Sequence, residues 1–385
     1  MSNIYDYIDE KCNSSFSDEP FCEVDALVFA WLSYFEIEEL HHTGYSCYNL
    51  TLEELVMAQE KILGDIRQPD RFGKLVSAST GAWMLKKVSK KKRFRRVRIA
   101  DFKTVTDFEK GIQFSATTYV LDNDARVVAF RGTDTSVAGW KEDCMTSYSS
   151  EIPSQKLALE YLDSCSGKSD LVVTGHSKGG NLAIYSASKC KKSVVDRITG
   201  IYNFDGPGFC FDINTTPNYK TIKERIHSFI PGSSIVGMLL EHMDDYTVVA
   251  SANAGILQHY AFYWQIDGRS FVTQEGRNMS SRSMDAAFQT WLKDLSFEDR
   301  KKFVETVFSI IEGAGVEYFD EMTSEGFSKM KKIFLEMRNL DDETAGMVRS
   351  FFRSLMDASM SEFKSAAVDI YNNVLEAIGQ LNPLK

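Results

Sequence analysis

The chain has 385 residues, of which 43% are hydrophobic, 25% charged and 12% aromatic, with a net charge of −10. That length suits two domains, or one large domain with an extension, and the composition supports a core of normal size. The negative balance argues against bulk nucleic-acid binding.

The opening stretch MSNIYDYIDEKCNSSF has no basic segment followed by an apolar one, so no signal peptide is expected. No apolar run of about 18 residues occurs, which argues against a transmembrane helix. Seven cysteines are scattered without C-x-x-C spacing. They read as free thiols in a reducing compartment, so the expected location is the cytoplasm, with no metal site.

In chain order, residues 1–80 are helical in outline, with a buried helix in FCEVDALVFAWLSYFEI and a turn at Asp70 to Gly73. KKVSKKKRFRRVR (86–98) reads as a solvated hairpin loop passing into a strand at RRVRIADF, in preference to a patch for anionic lipid headgroups. TTYVLDND and ARVVAFRGTD form a hairpin turning at Asp122 to Asp124. SDLVVTGH, GIYNFDGPG and RIHSFIPG are short apolar runs ending in polar residues or glycine, with helical stretches such as NLAIYSASKC between them. Strands alternating with helices predict a mostly parallel sheet, whose sites lie at the carboxyl ends of its strands.

The boundary is placed at 284/285, with a helical extension over 285–385. There SFEDRKKFVETVFSIIEG opens with a capping box, Ser296 to Asp299, and carries Phe303, Val307, Ile310 and Ile311 on one face. Similar stripes recur at Phe327, Met330, Phe334 and Met337, at Met347, Phe351 and Leu355, and at Tyr371, Val374, Leu375 and Ile378. They read as a structural helical layer.

Gly175-His176-Ser177-Lys178-Gly179 follows an apolar strand and precedes a helix, the context that a G-x-S-x-G nucleophile elbow requires. Glycines two residues before and after give the clearance, and Gly180, Ala183 and Ala187 let the helix lie close on the strand. Ser177 is the candidate nucleophile. In the chain order Ser, acid, His, the base comes after it. His41 and His42 precede it in an apparent loop, His176 is turned away by the elbow, and His227 lies inside a strand. His242 and His259 remain.

VVAFRGTDTSVAGWKEDC, VVTGHSKGGNLAIYSA and GILQHYAFYWQIDG together resemble the signature segments of class 3 lipases. The fuller pattern, with YNFDGPGF and IPGSSIVGMLLEH, also resembles an uncharacterised bacterial family of lipase-like hydrolases. The resemblance implies an α/β-hydrolase fold, with His259 as base and Thr133 as the oxyanion-hole hydroxyl. The backbone N–H of Lys178 is then the second donor. It also implies that TSVAGWKEDC occupies the place of an amphipathic lid, with Val137 and Trp140 as its apolar face and Asp143 turned away.

One departure concerns the acid. Where those lipases carry an aspartate, this chain reads Ser233-Ser234-Ile235-Val236. Asp205, at the end of the next strand after the nucleophile's helix, becomes the candidate, as at the same strand end in pancreatic-type lipases. Glu241, Asp244 and Asp245 are alternatives, and the rival structural role for Asp205 is capping the Asp-Gly-Pro-Gly turn.

The expected activity is hydrolysis of carboxylic esters, small or lipid, through an acyl-enzyme and without a cofactor. The same triad also serves thioesterases, acyltransferases and peptidases. A silent hydrolase fold acting as an interaction protein through its helical tail is the reading from another class.

Overall fold

The computed structural model describes residues 2–68, 78–234, 236–240, 245–253, 255–278, 295–313 and 315–318. Seven strands form one sheet in the order of the sequence: β1 (Arg98–Asp107), β2 (Ile112–Val120), β3 (Arg126–Phe130), β4 (Leu171–His176), β5 (Ile198–Phe204), β6 (Ile226–Pro231) and β7 (Thr247–Val249). The first three are joined antiparallel, and β3 to β7 run parallel. The β2–β3 turn falls at the expected aspartates, with Asp124 at φ 64°.

Five helices precede the sheet: α1 (Ile4–Lys11), α2 (Glu23–Leu32), α3 (Ile37–His42), α4 (Leu52–Ile62) and α5 (Ala78–Val88). His41 and His42 thus end a helix rather than lie in a loop. Between β3 and β4 come α6 (Val137–Met145) and α7 (Pro153–Ser164), and α8 (Lys178–Lys189) joins β4 to β5. Parallel strands taken in sequence order with right-handed crossovers put their connecting helices on one face. Strand alternation accordingly divides the core. Val128, Phe130, Leu171 and Val173 pack with Leu162, Leu182 and Tyr185 of the crossover helices. Val127, Ala129 and Val172 pack with Leu27, Val28 and Trp31 of α2 on the other face. Burial on both faces explains why these strands read as unbroken apolar runs. The whole is an α/β-hydrolase architecture.

The N-terminal helices are fastened at two places. A small hairpin, β8 (Ile266–Asp267) with β9 (Ser270–Phe271), takes one: Ser2 bridges to Ile266, and the Phe271 N–H donates to Glu23 Oε1 at 2.7 Å. The basic stretch makes the other, which overturns its reading as a solvated loop. Lys87 and Lys91 pair with Asp9 at 2.7 and 3.1 Å, Lys86 with Glu60 at 2.6 Å, and Lys92 with Asp18 at 3.0 Å. Arg93 is fully buried. It grips Asp25 through Nε and Nη2 at 2.7 and 2.6 Å and donates to the carbonyls of Ser15, Glu19 and Pro20. Tyr7 adds its hydroxyl to Asp25 at 2.7 Å. Buried charge persists only when paired and hydrogen-bonded in this way.

The Phe297–Gly313 helix starts at the expected Ser296–Asp299 capping box and packs Val304 and Phe308 on Val137 of α6. The Asp70–Gly73 turn, the 284/285 boundary and the later apolar stripes lie outside the described residues. Among the described residues no helix is long and apolar enough to cross a membrane.

Removing one member of a buried pair strands the other. Asp25→Asn should lower the unfolding free energy by about 3 kcal/mol, read as a fall in the urea midpoint. Lys92→Ala breaks an exposed pair and should leave the midpoint in place.

Candidate active site

The elbow is a steric construction. Ser177 sits at φ 57° and ψ −131°, a conformation that a side chain-bearing residue adopts only under constraint. The constraint is visible at its glycines. A Cβ on Gly175 would stand 2.2 Å from the Gly179 carbonyl carbon, and one on Gly179 would stand 2.2 Å from the Phe130 oxygen. Strand β4 and the first turn of α8 therefore touch backbone to backbone, and Ser177 is pushed up, half-buried, at the carboxyl edge of the sheet.

One strand along, Asp205 ends β5, fully buried and at φ 54°. Its Oδ2 lies 2.6 Å from His259 Nδ1. Its Oδ1 accepts from the Ser234 hydroxyl at 2.5 Å and from the Gly237 N–H at 3.2 Å. With the carboxylate as acceptor, Nδ1 of His259 holds the proton and Nε2 is left as the basic nitrogen. His259 lies in a short 3-10 turn, Gly255–His259, with its side chain 19% exposed. Ser177 Oγ has no hydrogen-bond partner among the described residues, so no bond joins it to His259 here; catalytic hydrogen bonds are commonly open before substrate arrives.

The structure thus brings Asp205 and His259 together. Ser234, in the slot where class 3 lipases carry their acid, donates its hydroxyl to Asp205 instead. Asp245 is exposed and pairs with Lys223 at 3.4 Å. Glu241, His242 and Asp244 lie outside the described residues.

Thr133 and Lys178, the expected oxyanion donors, follow Gly132 and Ser177, whose positions adjoin: a Cβ on Gly132 would stand 3.2 Å from Ser177 Cβ. Lys178 is the first residue of α8, so its N–H has no partner within the helix. The Thr133 hydroxyl donates to Asp143 Oδ2 at 2.5 Å. A hydroxyl has one proton, so while it serves Asp143 the backbone N–H groups are the free donors. This corrects the expectation that Asp143 faces away. Its Oδ1 is sealed from solvent without a hydrogen-bond partner among the described residues, and burial pushes the carboxyl up to about 6, against the pull of nearby Lys178.

The Lys178 side chain is a feature the sequence reading missed. It runs beneath the elbow, fully buried, with Nζ donating to Gln113 O and Oε1, both at 2.7 Å, and to Glu142 Oε2 at 3.1 Å. Glu142, also fully buried, further accepts from the Ser154 N–H and hydroxyl at 2.7 and 2.6 Å. Swinging α6 outward would strand both charges, a loss on the order of 3–5 kcal/mol. The segment in the lid position is a fixed wall here. Its Val137 is buried against the Phe297–Gly313 helix, and Trp140 is 40% exposed with Nε1 donating to Asp134 O at 3.1 Å. No local pattern announces the Lys178–Glu142 pair, because its partners meet only in the folded chain.

Among the described residues no group of three or more His, Cys, Asp or Glu side chains is arranged to hold a metal ion.

A family model described as Mbeg1-like matches residues 88–309, more than half of the chain. No curated protein matches. Among solved structures, the crystal structure of M37 lipase is similar at 17% identity and a TM-score of 0.34, over 56% of this chain and 69% of that one. That likeness is too distant to bear on the site.

Asp143 generates a pH prediction. Its folded carboxyl titrates near 6 against 3.8 for an ordinary one. Between those values the folded state binds the extra proton, so the parent loses stability as pH rises through that window. Asp143→Asn mimics the protonated form. Its stability relative to the parent should therefore grow from about pH 4 to pH 6 and level off above, in urea denaturation at each pH.

Proposed function

Because the chain belongs to the Mbeg1-like family, which is lipase-like, and its sheet carries a serine on a strained elbow, we propose that it is a serine hydrolase of carboxylic esters. Ser177 is the nucleophile, His259 the base and Asp205 the acid. The observation that carries the reading is the 2.6 Å bond from His259 Nδ1 to Oδ2 of Asp205, which follows β5 beside the β4 end that carries Ser177.

His259 Nε2 takes the Ser177 proton as Oγ attacks the ester carbonyl carbon. The carbonyl oxygen becomes an oxyanion, met by the backbone N–H groups of Lys178 and Thr133, since the Thr133 hydroxyl proton is held by Asp143. One such donor contributes about 3–4 kcal/mol to the transition state. Collapse of the tetrahedral intermediate breaks the bond to the alcohol, which leaves with the proton from His259. Water, deprotonated by the same nitrogen, then attacks the acyl-enzyme and frees the acid and Ser177. Asp205 keeps Nδ1 protonated throughout and stabilises the imidazolium between the two transfers.

The rival reading, a silent fold acting through its tail, drew on the missing carboxylate at Ser233-Ser234. In the present reading Asp205 fills that gap, supported by its bonds to His259 and from Ser234.

A fluorophosphonate probe should label the parent and leave Ser177→Ala unlabelled and inactive against short nitrophenyl esters, with an unchanged circular dichroism spectrum. Activity above a few per cent in that variant would remove Ser177 from the role. Asp205→Asn should retain the fold and lose turnover by about ten-thousand-fold, because the wrong imidazole tautomer is favoured.

A further inference from the structure

His176 immediately precedes the nucleophile, yet its ring points into the core and makes two hydrogen bonds. Its Nε2 lies 2.8 Å from the backbone oxygen of His259, and its Nδ1 lies 3.1 Å from Tyr34 Oη. A carbonyl only accepts, so Nε2 carries a hydrogen. Burial, with His259 close by, drives the His176 ring well below the usual histidine range, so it is neutral and has one N–H. Nδ1 is then bare, and Tyr34 must donate to it. The direction of every bond is fixed: Tyr34 to His176, His176 to the His259 backbone, and the His259 ring to Asp205.

The rings reinforce this line. Tyr5 of α1 stacks on Phe262 at 5.5 Å, Phe262 on Trp31 of α2 at 3.9 Å, Trp31 on His176 at 4.7 Å, and His176 lies 4.7 Å from His259. At the other end, Tyr34 Oη packs on Gly132, the residue before Thr133. A Cβ there would stand 2.2 Å from that oxygen and 3.2 Å from Ser177 Cβ. Tyr34 therefore touches the wall beside the nucleophile while directing the histidine that grips the base.

We propose that Tyr34 and His176 are positioning residues for His259, joining the N-terminal helices to the catalytic histidine and fixing where its ring stands between Ser177 and Asp205. The proposal rests on the esterase reading for its kinetic test, but not for its spectroscopic one. Both side chains are buried, so the effect belongs in turnover rather than in binding.

The test uses the full chain. His176→Phe keeps a ring against Trp31 and removes the donor to His259. Its kcat for a short nitrophenyl ester should fall about a hundred-fold, the scale of a small misplacement of a catalytic group, with KM within about threefold. His176→Gln restores an N–H and should recover to within about tenfold of the parent. Tyr34→Phe removes one oxygen and should lower kcat about tenfold with KM unchanged. In parallel, the downfield proton resonance of the His259–Asp205 bond should be sharp in the parent and shifted or broadened in His176→Phe and Tyr34→Phe. If His176→Phe fails to fold, Tyr34→Phe decides by the same two readings. Folded variants that keep both the resonance and the parental kcat overturn the proposal, as does a loss confined to KM. If the parent itself hydrolyses no ester and takes no probe, the esterase reading fails, and the resonance alone decides whether these two residues position His259.

Discussion

Backbone contact at the elbow governs this molecule. Gly179 lies against the Phe130 carbonyl and Gly180 against the Asn203 side chain, at separations that no Cβ would permit. With α8 pressed so close, strands β3, β4 and β5 are held in one register: Phe130 opposite Gly175, His176 opposite Phe204, and Phe204 opposite Phe229. The residue after each strand end then projects at the same edge. That is how Arg131 to Thr133, Ser177 and Asp205, far apart in the chain, come to share one rim. Strain at Ser177 and Asp205, both at positive φ, is tolerated because the ladders on either side leave the chain no alternative.

Charge is distributed around that rim with a partner for each buried group. Asp205 receives Ser234, Gly237 and His259, and Glu142 receives Lys178, Ser154 and Gln113. Such clusters add little net stability compared with apolar packing, but each is costly to open. They hold the walls of the site in place. Asp143 is the exception, with one oxygen unmatched and its carboxyl pushed toward neutrality.

Much of this was legible in the sequence because it is local. The elbow needs only glycine spacing after a strand, the β2–β3 hairpin only its aspartate turn, and the Phe297–Gly313 helix only Ser296 and Asp299. Asp205 was within reach as well, since a carboxylate closing the strand after the nucleophile's helix has the right chain order. What the sequence hid is long-range. Nothing near Arg93 announces that Asp25 will bury it, and a run of nine basic residues looks solvated until its acidic partners in α1, α2 and α4 are folded against it. Lys178 gave the same difficulty: it sits between Ser177 and Gly179, and its partners lie on β2 and α6. His176 was correctly read as turned from the nucleophile, but its hold on His259 required the fold.

The double fastening of the N-terminal helices also shapes how the chain is made. Every side chain from Val24 to Leu32 is buried in the finished molecule, and all but Asp25 are apolar, so α2 needs cover around its whole circumference. Glu23, at its first turn, meets the backbone of Phe271, 248 residues later. At ordinary rates of synthesis that interval is on the order of tens of seconds. Throughout it, α2 has been synthesised but has no completed surface to lie on. Contacts so distant in sequence form slowly, and exposed apolar segments of this kind are where chains of this size aggregate. The vulnerable stage for this protein is its birth, before the last strands arrive to cover the first helices.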